Sequence, residues 1–142
     1  MEFNYDPIKL KRIYEEKHKK DGIRLFADRI KPRGMRKSEL EYDDWIKQLC
    51  PSTSLIKRWY RKEITYSQFS DQYAKELDSQ QHEIDCIAEM AKKDSVTLLS
   101  AVKDFEISHL PILKKHILLA LEENSFGNSN EYSSPVCYEN LQ

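Results

Sequence analysis

Apolar positions along the chain alternate at first and then recur at helical spacing. In "IKLKRIYE" (8–15), Ile8 and Leu10 alternate with Lys9 and Lys11, and Ile13 and Tyr14 follow. That period of two predicts a strand with one face exposed. "EEKHKKDG" is a charged loop ending in an Asp-Gly turn signal, and "IRLFAD" (23–28) predicts a second strand. About eight residues separate the two, too few for a direct parallel crossover, so an antiparallel or offset pairing is expected.

The period then changes. "KSELEYDDWIKQL" (37–49) reads as a helix, with Ser38 and Glu41 as a capping box and Tyr42, Trp45, Ile46 and Leu49 as its stripe. Pro51 would end it. "PSTSLIKRWY" begins a short second helix with Leu55, Ile56, Trp59 and Tyr60 facing inward. A third helix follows a Thr-x-x-Gln cap at Thr65, striped by Tyr66, Phe69, Tyr73 and Leu77. A fourth carries Ile84, Ile87, Ala88 and Ala91. "SVTLLSA" (95–101) is a short apolar run of the kind that forms a strand buried on both faces. A long helix closes the fold, with Ser108 as N-cap, Pro111 tolerated in the first turn, and Leu110, Leu113, Ile117 and Leu121 buried.

These elements predict an α/β fold: one small domain over residues 1–124, with a short, mostly parallel sheet of about three or more strands flanked by helices. Residues 125–142, rich in Asn and Ser and without periodicity, are expected to be a disordered acidic tail. No run of about 18 apolar residues is present, which excludes a transmembrane helix from the sequence pattern. The N-terminus lacks the apolar stretch of a signal peptide, so the expected address is the cytoplasm. Three cysteines, Cys50, Cys86 and Cys137, have no paired short spacing; Cys50 and Cys86 are read as buried, inert thiols.

Charge changes this picture in one place. The net charge is −1, and the four glutamates from Glu122 onward, unaccompanied by Lys or Arg, leave the preceding residues at +3. That is well short of a general DNA-binding stripe. Within nine positions, however, the loop after the second strand holds Arg29, Lys31, Arg33, Arg36 and Lys37.

"DGIRLFADRIKPRG", "WIKQLCPSTSL", "FSDQYAKEL" and "VTLLSAVKDFEISHLPIL" occur in this order. Together they resemble the YeaO-like branch of the family known as domain of unknown function 488, over roughly residues 8–118. The resemblance implies a small α/β domain without an established activity. It carries over Asp28, Arg29, Pro32, Arg33, Gly34, Lys37, Trp45, Lys47, Pro51, Ser52 and His109. Two departures stand out. Lys31 occupies the place of a tryptophan usual in that branch. Ser100 and Ser108-His109-Leu110 occupy places where a longer branch carries a cysteine and a Cys-His-Arg, so thiol chemistry is not carried over.

Ligands of α/β sheets bind beyond the carboxyl ends of the strands. If the second and last strands are parallel neighbours, Asp28-Arg29 and Ser108-His109 meet there. Arginine forks grip carboxylate or phosphate with two hydrogen bonds. The expected site is therefore an anion-binding one made by Arg29, Arg33, Lys37, Ser108 and His109, with Asp28 orienting Arg29 or serving as an acid–base group. Its ligand would be an anionic small molecule or nucleotide. Competing readings remain: an Asp28–Arg29 ion pair that pins a loop, a basic surface for an acidic partner protein, and a small hydrolase or transferase using Asp28 or His109. Lys31, Arg36 and Lys37 also fit a solvated rim. No cofactor or metal motif appears, and the oligomeric state is not specified. The aromatics from Trp45 to Tyr73 fit a core better than a nucleic-acid platform, with Trp59-Tyr60-Arg61-Lys62 the best exception.

Overall fold

The computed structural model of the chain describes residues 7–31, Gly34 and residues 40–126. Its sheet is organised by the apolar run Val96–Ser100, strand β4, every residue of which is buried. Strand β4 is flanked by β1 (Ile8–Arg12) on one side and β2 (Ile23–Phe26) on the other, both paired with it in parallel. A two-residue strand, β3 (Asp44–Trp45), continues the sheet beyond β2, giving the order β1-β4-β2-β3. The parallel α/β class expected from the sequence holds. The antiparallel option for the first two strands does not: β4 separates them, so each pairs in parallel with a strand that arrives later in the chain. Gly22 immediately precedes β2 at φ +66°, where an added Cβ would lie 2.2 Å from the Ser95 carbonyl oxygen. Only glycine permits that approach.

The helix expected over 37–49 is overturned for its described part. Tyr42 to Ile46 instead run along the edge of β2, with Asp43 N–H donating to Arg24 O at 2.7 Å and Ile46 N–H to Phe26 O at 3.0 Å. The Ser38 cap lies outside the described residues. An unpaired edge of β2 would leave backbone groups without partners, and this pairing outweighs the helical stripe. Trp45 and Tyr42 pack on Phe26 with ring centroids 5.3 and 5.7 Å away. Lys47–Leu49 then form a single 3-10 turn.

The remaining helices follow the pattern. Helix α1 (Thr53–Tyr60) is capped by Ser52, and α2 (Tyr66–Asp78) by the reciprocal Thr65–Gln68 box. Helices α3 (Gln81–Lys93) and α4 (Leu110–Phe126) bury the expected Ile84, Ile87, Ala88, Ala91, Leu110, Leu113 and Ile117. Tyr60 is corrected: it lies beyond the Leu55–Trp59 stripe and is 71% exposed. Cys50 is a buried free thiol; Cys86 is buried but disulfide-bonded, contrary to its reading as a free thiol. From residue 127 onward the expected tail lies outside the described residues. No described helix is long and apolar enough to cross a membrane.

Strand alternation divides the core. Ile8, Leu25, Val96 and Leu98 pack with the helices, whereas Phe26 and Leu99 join Ile13, Leu40 and the Tyr42–Trp45 aromatics on the opposite face. That second face also holds a buried ionic cluster. Arg24, 1% exposed, donates through Nη1 to Asp21 and through Nε to Glu41 O at 2.8 Å. Lys11 Nζ reaches both Asp21 oxygens at 3.0 Å, and His18 N–H donates to Oδ2 at 2.9 Å. The cluster thereby ties β1, the following turn, β2 and the approach to β3 together. Burial pushes the Asp21 carboxyl upward, but hydrogen bonds from His18, Lys11 and Arg24 outweigh it and hold it below its ordinary value.

A depressed carboxylate stabilises the fold above its unfolded pKa, and that contribution is lost as pH falls through the folded value. Asp21→Asn is expected to cost about 3 kcal/mol at neutral pH, because it leaves Arg24 buried without its countercharge. It should also flatten the loss of stability on acidification. Urea unfolding of both proteins from pH 7 to pH 3 checks this; parallel pH curves would show that Asp21 is not the sensor.

Candidate functional site

The parallel pairing of β2 with β4 brings Asp28 beside the end of β4, as the strand-end argument requires. The Asp28 carboxylate is fully engaged there. Oδ1 accepts from Ser100 Oγ at 2.6 Å, and Oδ2 accepts from Ala101 N–H at 2.8 Å. The Asp28 backbone oxygen accepts from Trp45 Nε1 at 2.6 Å. Three strands are therefore joined at one residue.

Arg29 turns the other way. Its Nε donates to Pro51 O at 2.7 Å and its Nη2 to Cys50 O at 3.0 Å. Among the described residues no carboxylate lies within ion-pair distance of it. The expected Asp28–Arg29 pair, and with it the orienting role given to Asp28, is corrected: Arg29 has found two backbone carbonyls, and Asp28 the Ser100 hydroxyl and the Ala101 amide. The Cys50–Ser52 turn that Arg29 grips is also held from behind. Glu76 accepts from Ser52 N–H at 2.8 Å and from Ser52 Oγ at 2.6 Å, and Tyr73 donates to Leu49 O at 2.6 Å.

His109 immediately precedes α4 and is buried. Its Nε2 bonds the Ala27 carbonyl and stands 3.6 Å from Asp28 Oδ1. Burial pushes its pKa below the ordinary value, although the Ala27 carbonyl and the Asp28 charge pull it back upward. Because a carbonyl only accepts, the neutral ring carries its single proton on Nε2. His109 thus has no spare N–H for an anion, and it stands before the first helical residue, Leu110, rather than in the first turn expected for it. Ser108 is also committed, since its Oγ donates to Phe105 O at 2.7 Å and accepts from Leu110 N–H at 3.1 Å.

These elements surround a pocket of about 440 Å³. Asp28, Arg29, Ser108 and His109 all line it, so four expected site residues converge. Lys31 is exposed, and Arg33, Arg36 and Lys37 lie outside the described residues. The rest of the lining is mostly apolar and aromatic: Ile30, Ile56, Trp59, Tyr60 and Ile107, with Lys103 adding a second cation. Sequence reading missed the Ser100–Asp28 clamp and this apolar wall; the Trp59-Tyr60-Arg61-Lys62 run, noted above as the best exception to core packing, was the available signal for the wall. A larger open trough, about 690 Å³, runs along the outside of α4 between Leu10 and Glu122, away from these groups. Among the described residues, no three His, Cys, Asp or Glu side chains gather as a metal ion would need.

A family model described as the inactive DUF488-N3 subclade matches residues 7–139. The uncharacterised protein YeaO of Escherichia coli (strain K12) is 37% identical over 106 residues, covering 75% of this chain and 92% of the relative. The uncharacterised proteins Rv3073c of Mycobacterium tuberculosis and Mb3100c of Mycobacterium bovis are each 29% identical over 109 residues, covering 75% of this chain and 89% of theirs. No solved structure matches.

The geometry of His109 has a pH signature. A base whose folded pKa is depressed leaves stability complete above the ordinary value of 6.5, and stability falls as pH drops through the lowered one. An NMR titration should place the His109 midpoint below 6.5 with the proton on Nε2, and His109→Gln should flatten the stability curve beneath that pH. A midpoint above 6.5 would contradict the buried neutral ring.

Proposed function

The chain belongs to the DUF488 family, in the branch described as the inactive N3 subclade, and from that premise we propose a binding domain that does not turn its ligand over. The ligand is a small molecule bearing a carboxylate or phosphate, held in the strand-end pocket by Arg29. The observation that carries this reading is the state of Arg29. Two backbone carbonyls fix its guanidinium at the pocket wall, while no described carboxylate neutralises it. An anion supplied from outside would complete its fork, using Nη1 and the second Nη2 proton. Lys103 adds charge at the same wall.

Catalysis is disfavoured by the same hydrogen bonds. A nucleophile needs a base within reach. Ser100 is fully buried, and its hydroxyl proton goes to Asp28, whose other oxygen is also occupied. The His109 proton faces Ala27 O, and among the described residues no hydroxyl or thiol is hydrogen-bonded to its other ring nitrogen. Burial pushes the Cys50 thiol far above its ordinary pKa, so it is no thiolate at neutral pH. The word "inactive" in the subclade's description agrees with this.

Melting curves with inorganic phosphate, phenyl phosphate and benzoate test the proposal. At about a hundredfold excess over Kd, a ligand should raise Tm by roughly 8 °C. Arg29→Met should lose that rise, whatever its own starting Tm. The variant itself is expected to be less stable by about 2 kcal/mol, because the Cys50 and Pro51 carbonyls lose a charged donor. No shift with any of the three anions would overturn the reading.

A further inference from the structure

The pocket's mouth has a composition that an anion site alone does not need. Ile30 is 69% exposed, Tyr60 71% and Ile107 53%, and all three line this one pocket. Large apolar side chains exposed around a concavity mark a binding surface more than isolated ones do. Deeper in, Trp59 is occupied: its ring stacks on Phe69 at 5.4 Å and meets Tyr66 at 5.6 Å. Tyr60 has no ring partner among the described residues, so its face is available.

Charge narrows the occupant. Arg29 and Lys31 flank Ile30, Arg61 (3.8 Å from Glu63) and Lys62 follow Tyr60, and Lys103 lines the wall. Two acids line the same pocket, each engaged with a backbone amide: Asp28 with Ala101 N–H and Asp104 with Glu106 N–H. A flat ring against Tyr60 with an anion at Arg29 matches this arrangement. An aliphatic chain would bury apolar area here but could not stack on the Tyr60 ring. The volume, about 440 Å³, also suits a small molecule rather than a broad protein surface.

Resting on the anion-binding reading above, we propose that the pocket takes a nucleotide, with its phosphate on Arg29 and its base stacked at Tyr60 inside the Ile30–Ile107 collar. The source is either a free nucleotide or the 5′-phosphorylated end of a single strand. Stacking is tolerant of base identity, so purine and pyrimidine nucleotides bind within a few-fold of one another.

Calorimetric titration with adenosine monophosphate, ribose 5-phosphate and octanoate provides the test. The nucleotide should bind at least about tenfold tighter than ribose 5-phosphate, reflecting the stacked base. Tyr60→Ala should erase that ratio, with ribose 5-phosphate affinity and Tm unchanged; the exposure of Tyr60 makes the variant's folding safe. A 5′-phosphorylated tetrathymidylate binding tighter than thymidine monophosphate assigns the site to strand ends, and weaker binding assigns it to free nucleotides. Equal affinity for the nucleotide and ribose 5-phosphate would overturn the base contact while leaving the anion site standing. Octanoate binding tightest would overturn it in favour of an acyl ligand. Binding of neither phosphate compound would remove the anion site and this proposal together.

Discussion

The Asp28 carboxylate is the constraint on which the strand-end architecture depends. It leaves the end of β2, takes the Ser100 hydroxyl and the Ala101 amide at the end of β4, and its own backbone oxygen receives the Trp45 indole from β3. A charged acceptor strengthens such bonds, and each is directed at a group that would otherwise need water. Three parallel strands are therefore fixed in register where a ligand would approach. With Asp28 committed inward, Arg29 turns to the Cys50–Pro51 carbonyls and forms the opposite wall.

This division separates framework from ligand surface. Asp28, Ser100, Ser108 and His109 carry the residue types of acid–base or nucleophilic chemistry, yet the Ser100, Ser108 and His109 donors and both Asp28 oxygens are engaged within the fold. The pocket also presents the Arg29 fork, Lys103, Asp104 and an apolar, aromatic wall. Among the described residues no hydroxyl or thiol is hydrogen-bonded to His109, and the burial that lowers its pKa disfavours its cationic form. At the other end of the strands, the Asp21–Arg24–Lys11 cluster performs a purely structural task, closing the turn between β1 and β2.

Much of this was legible from periodicity and capping. The buried run at β4, the Thr65–Gln68 box and the stripes of α2, α3 and α4 are local signals that tertiary contacts did not override. The stretch around Tyr42–Leu49 misled because its apolar spacing also suits an edge segment. There the edge hydrogen bonds of β2, formed by residues about twenty positions earlier, decided the outcome. The convergence of Asp28, Arg29, Ser108 and His109 followed from the strand-end rule for α/β sheets. Their individual partners did not, because a hydrogen bond across 72 positions, such as Ser100 to Asp28, leaves no trace in spacing. Tyr60 was placed inward by counting, whereas its position at the last turn of α1 carries it past the buried stripe.

The central claim is that an anion-bearing aromatic ligand sits between Arg29 and Tyr60. Two-dimensional 15N–1H NMR during titration with phenyl phosphate tests it most directly, because the Arg29 Nε–H and the amides of Ile30, Tyr60 and Ile107 report from separate walls. The account predicts saturable shifts concentrated at those four groups, with the Asp28–Ser100 clamp undisturbed. Shifts confined to the outer trough of α4, or none at the Arg29 Nε–H, would contradict it.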